Sequence, residues 1–225
     1  MLLNRFADRD DAGKRLAAEV KRLRLADPVV LALPRGGVPV AAPVAEVLGA
    51  PLDLVMVRKI GAPGHTELAA GAVVDGAAHQ VVWNESVLRG LGLGPADLQP
   101  AVEKQLALIK DRRALYFGGR APVPVRGRDV VVVDDGIATG ATIRAALKGL
   151  SQSGAASIAL AVPVAPSDTL AALKPLVDQV ICLTTPEPFF AVGQQYQRFD
   201  QVTDTEVVGI LRRFDNSKTH KGEDP

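Results

Sequence analysis

The chain has 225 residues, of which 48% are hydrophobic and 23% charged, enough for one sizeable core with at most a small appended subdomain. With 26 Lys and Arg against 25 Asp and Glu, the formal net charge is +1, so no overall charge would draw the protein to nucleic acid or to an anionic membrane. One cysteine, Cys182, excludes an internal disulfide framework, and three scattered histidines disfavour a structural metal site.

The start of the chain is charged and shows no apolar segment typical of a signal peptide. Nowhere do 18 uncharged apolar residues follow one another, so we expect no membrane span and a cytoplasmic protein. Aromatic residues make up only 4% of the chain, which disfavours stacking platforms for nucleic acid.

The first half of the chain alternates helical and strand patterns. Apolar positions at helical spacing predict a helix over residues 8–24, and the continuous apolar runs 29–33 and 52–58 predict strands buried on both faces. A helix ending at Leu48 is expected between those strands. Residues 61–71 are rich in glycine and polar side chains, which predicts a loop that can move.

The alternation continues in the second half, where a short strand over 79–83 and a long helix over 95–115 come first. The remaining predicted strands lie over 129–133, 157–164 and 177–184. One helix is predicted after the strand at 129–133, a second over 167–174, and a third from a capping box at 203–206 to about Arg213. Strands that alternate with helices predict a doubly wound, mostly parallel sheet with helices on both faces. Such folds bind ligands at the carboxyl ends of their strands.

About 70 residues separate the second predicted strand from the apolar run at 129–133, which is too long for one crossover. We therefore predict a discontinuous α/β core over 1–65 and 126–213 with a small inserted α+β lobe over 66–125. The polar tail 214–225 is predicted to be disordered.

The most specific pattern follows the apolar run at 129–133, where four valines lead into Asp134 and Asp135. Paired carboxylates can accept hydrogen bonds from the vicinal hydroxyls of a sugar. The small residues that follow open a helix, and backbone N–H groups at a helix N-terminus bind phosphate. An ordinary strand–turn–helix with a capping aspartate is the alternative. The predicted phosphate-binding residues are Ala138, Thr139, Gly140, Ala141 and Thr142.

The run VVVVDDGIATGAT resembles the fingerprint of type I phosphoribosyltransferases, which bind 5-phosphoribosyl 1-pyrophosphate (PRPP). The resemblance implies that Asp134 and Asp135 hold the ribose 2′- and 3′-hydroxyls and that residues 138–142 bind the 5′-phosphate. It extends over about residues 5–213 to a group of bacterial phosphoribosyltransferase-like proteins, through LPRGGVPVA, RKIGAPG, ELAAGAV and a late EPF segment.

Two further segments fit this family. LPRGGV stands where the family carries its pyrophosphate loop, often with a non-proline cis peptide, so Arg35, Gly36 and Gly37 are implied to bind pyrophosphate. By itself the segment is also compatible with a plain strand-to-helix turn. Arg58 and Lys59 match a basic pair that some members set against the pyrophosphate, followed by a flexible loop that closes over the reacting centre.

The acceptor is less defined. Ala138 stands where oxopurine-specific members usually carry an Asp for proton transfer, which disfavours an oxopurine handled in that way and leaves an amine-bearing base open. Adenine-type members use a Glu from elsewhere, and Glu67 is the candidate here. In the family a variable hood of terminal segments selects the acceptor.

The predicted hood is the segment 184–202, whose Phe189, Phe190 and Tyr196 would stack on a flat heterocycle unless they pack in the core. A second set of side chains forms either a basic face near the site or a solvated helix end. Its members are Arg112, Arg113, Tyr116 and Arg120.

Together these features predict an enzyme that transfers the phosphoribosyl group from PRPP to a nitrogenous acceptor, a nucleobase or related heterocycle, and releases pyrophosphate. The resemblance implies Mg²⁺ bound with PRPP, without a confident direct protein ligand beyond Asp134 acting through water or ribose, and a homodimer is common in the family. One alternative is a non-catalytic regulator that binds PRPP or a nucleotide. The other is a different phosphate binder, a phosphosugar hydrolase or kinase, although no GxxxxGK[ST] loop occurs.

Overall fold

The computed structural model describes residues 5–75 and 79–215. The helices are α1 (Arg9–Lys21), α2 (Gly37–Leu48), α3 (Glu85–Leu91), α4 (Gln99–Phe117), α5 (Ala141–Leu150), α6 (Ser167–Leu173) and α7 (Asp204–Asp215). The strands are β1 (Pro28–Ala32), β2 (Leu52–Leu54), β3 (Val57–Ala62), β4 (His65–Val74), β5 (Gln80–Trp83), β6 (Asp129–Val133), β7 (Ser157–Val164) and β8 (Gln179–Thr184).

The main sheet is parallel, with the strand order β2-β1-β6-β7-β8. Its central strands β1, β6 and β7 are largely apolar because both faces are covered: Val130 and Val132 pack towards α5 and α6, while Val131 and Val133 pack towards α1, α2 and α7. The predicted α/β fold class is therefore confirmed. β1 and β6 are neighbours and end level with each other, Ala32 lying beside Val133.

A second sheet is antiparallel, with the order β3-β4-β5. The predicted strand 52–58 is thus wrong as one element, because β2 joins the main sheet and β3 joins the second. The predicted loop 61–71 is also wrong, since most of it lies in the β3–β4 hairpin. Its glycine content misled the prediction. A Cβ on Gly71 would lie 2.9 Å from the Trp83 ring, so this glycine lets β5 pack closely rather than making the chain irregular.

The second sheet and α4 pack into the same apolar core as the main sheet. The hairpin begins at Val57, upstream of the lobe expected from residue 66, and Ile109 and Tyr116 of α4 lie in the same apolar cluster as Leu16 of α1. The described part of the expected lobe is therefore continuous with the core, and the proposed domain division stays a prediction.

α7 is the last helix that the structure describes. α7 extends to Asp215 with Phe214 buried, so the predicted disordered tail starts too early, and the rest of that tail lies outside the described residues. No helix in the described ranges combines the length and apolar character that a membrane crossing requires.

Candidate functional site

Two loops meet at the carboxyl edge of the main sheet, one after β1 and one after β6. A Cβ on Gly36 would lie 2.1 Å from Oδ2 of Asp135, and one on Gly37 would lie 2.7 Å from the carbonyl oxygen of Val133. Only glycine fits at such distances. The Pro34–Arg35 peptide between β1 and these glycines is cis. The structure thus brings the predicted pyrophosphate loop against the paired carboxylates.

The predicted phosphate loop runs directly into α5. Gly140 has φ +73° and precedes Ala141, the first residue of the helix, so the loop needs glycine for a left-handed backbone. The Thr169 hydroxyl donates to the Ala138 carbonyl at 3.0 Å and ties the loop to α6. The backbone amides of residues 141–143 belong to the first turn of α5. They have no acceptor within the helix and are available to an anion.

Arg9 of α1 is the cation nearest to the paired carboxylates. Its Nε donates to Oδ2 of Asp135 at 2.8 Å, its guanidinium lies 3.9 Å above the Phe199 ring, and Nη1 donates to the Asp200 carbonyl at 2.7 Å. The side chain is only 12% exposed. Sequence analysis missed this residue because its partners lie 126 and 191 positions away and no local pattern marks it.

The two carboxyl groups differ in their neutralisation. Burial raises the pKa of Asp134 well above its usual value, and the neighbouring Asp135 charge raises it further. Burial also raises the pKa of Asp135, while the hydrogen bond and charge of Arg9 oppose that rise. Asp134 accepts a hydrogen bond from the Asp135 amide at 2.9 Å and has no ion pair among the described residues. Its carboxylate is therefore the one left for a polar ligand.

Tyr196 belongs to the core, which contradicts its predicted stacking role. It is 3% exposed, with its ring 5.4 Å from that of Phe6 and 4.9 Å from that of Phe199. Its hydroxyl donates to the Asp135 carbonyl at 2.5 Å, and burial raises its pKa. Tyr196 thus fixes the backbone of the carboxylate pair. Of the other predicted hood rings, Phe189 packs partly against this cluster.

Phe190 is 73% exposed and, with Phe189, lines a cavity of about 550 Å³ beside the phosphate loop. We call it the acceptor-side cavity. Ala138 and Thr139 form its wall towards the phosphate loop. Its other lining residues include Ser167, Asp168, Thr169 and Glu187.

A second cavity, of about 330 Å³, is lined by the loop after β1; we call it the donor-end cavity. Its lining includes Arg35, Arg58, Arg112, Tyr116, Thr142 and Asp204. The Asp204 carboxylate accepts from the Tyr116 hydroxyl at 2.7 Å and from Arg112 at 2.9 Å, and Arg35 lies 3.8 Å away. These donors lower the pKa of Asp204, the Tyr116 hydrogen bond most strongly. α7 thereby anchors two of the cavity's cations.

The basic residues of α4 divide between two roles that sequence analysis did not separate. Arg112 and Tyr116 line the donor-end cavity. Arg113 instead lies in a buried ion-pair cluster, 2.9 Å from Asp53 and 2.7 Å from Asp75. The fourth member, Arg120 beyond the helix, pairs with Asp215 and donates to the Leu52 carbonyl at 3.2 Å. The prediction of a solvated helix end is therefore wrong.

The hairpin carries the remaining predicted residues. Nζ of Lys59 lies 3.4 Å from Oε2 of Glu67 and donates to the Glu67 carbonyl at 3.2 Å. The Glu67 side chain is 98% exposed and is not among the residues that line the acceptor-side cavity. Arg58 faces the donor-end cavity. Arg58 thus lines the donor-end cavity, whereas Glu67 is not among the residues that line the cavity around Phe190.

Known proteins are similar to this chain over most of its length. The sequence profile "Phosphoribosyl transferase domain" matches residues 6–198. Two curated proteins of Mycobacterium tuberculosis, each named "Putative phosphoribosyl transferase", are 47% identical over 208 residues, covering 92% of this chain and 46% of each relative. This chain therefore spans about half the length of the curated relatives it matches.

A solved structure, that of TT1426 from Thermus thermophilus, is 43% identical to this chain. The match covers 93% of this chain and 99% of that chain with a TM-score of 0.81. This chain belongs to the phosphoribosyl transferase family.

Proposed function

We propose that the protein is a PRPP-dependent phosphoribosyltransferase, a pentosyltransferase that moves the 5-phosphoribosyl group to a nitrogenous acceptor and releases pyrophosphate. One observation carries the proposal. The close approach of Gly36 to the Asp135 carboxylate joins an anion-binding loop to a carboxylate pair, directly beside the N-terminus of α5. A donor with two anionic ends and a hydroxylated middle matches that order of groups.

Each part of the donor has a candidate partner. The first-turn amides of α5 and the hydroxyls of Thr139 and Thr142 would bind the 5′-phosphate, and the carboxylates of Asp134 and Asp135 would accept from the ribose hydroxyls. The pyrophosphate would meet the loop after β1. Within that loop the Gly37 amide already donates to the Leu33 carbonyl at 3.0 Å. Gly37 would therefore permit close approach, and the side chain of its neighbour, Arg35, would supply the hydrogen bonds.

The transfer breaks the C1–O bond to pyrophosphate and forms a C1–N bond to the acceptor, through an oxocarbenium-like transition state. The bonding electrons leave with pyrophosphate, so its negative charge grows. Arg35, Arg58 and Lys59 would stabilise that charge electrostatically. Closure of the β3–β4 hairpin would exclude water, which would otherwise hydrolyse the donor.

The acceptor nitrogen must lose a proton, and we propose the Glu67 carboxylate as the base. Because Glu67 is bound to Lys59 and exposed, this role requires the hairpin to move towards the acceptor. A general base contributes about 10²–10⁴-fold to a rate. Glu67→Gln should lower turnover by a factor in that range with PRPP affinity kept, and unchanged turnover would remove Glu67 from the mechanism.

Mg²⁺ fits the carboxylate pair only as an ion shared with the donor. No group of three or more His, Cys, Asp and Glu side chains within residues 5–75 and 79–215 could hold a metal ion. Asp135 is engaged by Arg9, which leaves Asp134 to hold Mg²⁺ through water or a ribose hydroxyl. When bound with PRPP, the ion would supply positive charge for the pyrophosphate.

The test is an assay of pyrophosphate release from PRPP and Mg²⁺ with a panel of bases. We expect release with an amine-bearing heterocycle and none with an oxopurine, because Ala138 cannot transfer a proton. Tight PRPP binding without release for any base would favour the non-catalytic regulator. Absence of PRPP binding would overturn both readings. Homodimer formation and a cytoplasmic location stay predictions, the former testable by analytical ultracentrifugation.

A further inference from the structure

Three side chains that line the donor-end cavity come from α4 and α7 rather than from the loops at the sheet edge: Arg112, Tyr116 and Asp204. The Tyr116 hydroxyl donates to Oδ1 of Asp204 at 2.7 Å and accepts from Nη1 of Arg112 at 3.1 Å. The same Nη1 donates to both carboxylate oxygens of Asp204, at 2.9 and 3.1 Å. We call these three residues the α4–α7 cluster. The proposed reaction has so far used none of them.

Both partners of Arg112 are held in place by the fold. Tyr116 is 3% exposed, and its ring packs in the large apolar cluster between the helices and the main sheet. Asp204 is the first residue of α7. The first turn of this helix is fixed by a reciprocal pair of hydrogen bonds, from the Thr203 amide to the Glu206 carboxylate at 2.7 Å and from the Glu206 amide to the Thr203 hydroxyl at 3.2 Å. The guanidinium of Arg112 is therefore bound to two groups of fixed position.

The cluster leaves part of the Arg112 guanidinium unused. Among the described residues its hydrogen bonds all go through Nη1, so the edge formed by Nε and Nη2 keeps its hydrogens for a ligand. Such an edge can bind two oxygens of a phosphate group at once. Nη1 of Arg35 lies 3.8 Å from Oδ1 of Asp204, beyond hydrogen-bonding distance. Asp204 thus attracts both guanidiniums without occupying either of them fully.

The charge and size of the donor-end cavity favour a small anion. Three guanidiniums line it, those of Arg35, Arg58 and Arg112, and Asp204 supplies the carboxylate among its lining residues. A concave surface with such an excess of positive charge attracts an anion of high charge. The volume of about 330 Å³ lies at the lower end of the range of ligand sites, about 300–1,000 Å³. Pyrophosphate fits both limits.

From these observations we propose that Arg112 is a further pyrophosphate-binding residue and that Tyr116 and Asp204 are positioning residues that direct it to the donor-end cavity. The inference rests on the proposed function, because it takes the pyrophosphate of PRPP as the anion bound there. The Nε and Nη2 edge of Arg112 binds two pyrophosphate oxygens beside Arg35. Since α4 is not part of the β3–β4 hairpin, Arg112 keeps this contact whether the hairpin is open or closed.

The test measures the binding of inorganic pyrophosphate with Mg²⁺ and, separately, of ribose 5-phosphate to the full chain by calorimetry. Arg112→Met should weaken pyrophosphate binding about tenfold or more, because a charge-assisted contact to two oxygens is lost. Binding of ribose 5-phosphate should be unchanged, because this ligand carries no pyrophosphate. General damage to the site would instead weaken both ligands.

Tyr116→Phe tests the positioning role. The variant keeps the buried ring and the charge of the cavity and removes only the hydroxyl that holds Arg112 and Asp204. It should weaken pyrophosphate binding about threefold and leave ribose 5-phosphate binding unchanged. Lys110→Met is the matched control, because it removes a positive charge from α4 at an exposed residue that is not among those lining the cavity. Both affinities should be kept in this variant.

Four results would overturn the inference. Absence of pyrophosphate binding by the unmodified protein would remove the ligand, and unchanged pyrophosphate affinity in Arg112→Met would remove the contact. An equal loss of both ligands in Arg112→Met would assign Arg112 a structural role, and unchanged affinity in Tyr116→Phe would remove the positioning role. The transferase proposal fails separately. Absence of pyrophosphate release from PRPP with every base leaves these titrations interpretable, whereas unchanged titrations beside normal transfer refute only the role of the α4–α7 cluster.

Discussion

Two buried arginine–aspartate clusters in this protein have similar chemistry and different surroundings. In one, Arg9 binds Asp135 beside Asp134 at the carboxyl edge of the main sheet. In the other, Arg113 binds Asp53 and Asp75 between α4 and the sheets. The arginine side chains are almost equally exposed, 12% and 11%.

The clusters differ in how completely their carboxylates are bound. Besides Arg113, Asp53 accepts from the amides of Leu54 at 2.7 Å and Val123 at 2.6 Å. Asp134, by contrast, accepts one hydrogen bond from the next amide and has a raised pKa. A fully bound cluster stabilises a fold, whereas a partly bound one retains capacity for a ligand. This difference, rather than burial or charge, distinguishes the candidate site from a structural ion pair.

The largest effect on stability is expected when the arginine of the fully bound cluster, Arg113, is replaced. Arg113→Met should lower the free energy of unfolding by about 3–5 kcal/mol, because it removes the cation that binds two buried carboxylates. Urea denaturation followed by circular dichroism measures this. Lys110→Met, on the exposed surface of the same helix, should change it by less than about 0.5 kcal/mol. A loss below about 1 kcal/mol for Arg113→Met would remove the contrast between the clusters.

The second largest effect is expected on PRPP affinity when the carboxylates of the partly bound cluster, Asp134 and Asp135, are replaced. Asp134→Asn with Asp135→Asn should weaken PRPP binding by about 100-fold, because hydrogen bonds to charged groups contribute about 1.5–3 kcal/mol each. Calorimetric titration with PRPP and Mg²⁺ measures this. Asp111→Asn removes an exposed carboxylate from α4 and should leave the affinity unchanged. Retained affinity in the double variant would refute the assignment of the pair to the ribose.

Gly36→Ala tests the contact that joins the two loops of the site. Its backbone is right-handed helical, so alanine is allowed there, but the added Cβ would meet the Asp135 carboxylate. We expect a loss of about 1–3 kcal/mol in stability from the forced displacement, together with weaker PRPP binding. Gly90→Ala in α3, where a Cβ meets nothing within 4 Å, should instead be neutral or slightly stabilising. Equal behaviour of both variants in thermal unfolding would contradict the close approach.

The smallest effect is a pH dependence of a few fold. Since the pKa of Asp134 is raised above 3.8, its carboxylate is protonated on acidification earlier than an ordinary aspartate, and PRPP affinity should fall in that range. The same raised pKa makes ionisation of Asp134 unfavourable in the folded protein. The contribution of this group to stability therefore falls as the pH rises from 3.8 through its raised pKa. Asp134→Asn should lack the extra fall in affinity, while the titration of PRPP itself is common to both proteins. Identical pH profiles would exclude Asp134 as the responsible group.

Local patterns predicted the parts of the site that consist of consecutive residues. The carboxylate pair and the phosphate loop follow one apolar strand, and the loop after β1 follows another. Because parallel neighbouring strands end at the same edge, their convergence followed once the sheet was predicted. The hairpin was missed because glycine and polar residues also occur in strands that need close packing, as Gly71 shows against Trp83.

Residues whose roles depend on distant partners could not be predicted in this way. Arg9 is an ordinary basic residue of an amphipathic helix until folding brings Asp135 and Phe199 beside it. Tyr196 lies in a segment rich in aromatic residues, which is typical of a stacking surface. Only its burial against Phe6 shows that its ring is covered. The Arg9–Phe199 and Phe6–Tyr196 contacts join the start of α1 and the segment just before it to the hood segment, across nearly the whole chain.

The sequence by itself determined the parallel α/β sheet, because continuous apolar runs can be satisfied only by burial on both faces. It also determined the chemistry of the loops at the strand ends, because glycine, hydroxyl and carboxylate groups there act through local backbone geometry. Only the tertiary structure decided which charges are bound and which remain available. That outcome depends on distances between residues far apart in the chain, and no local pattern encodes it.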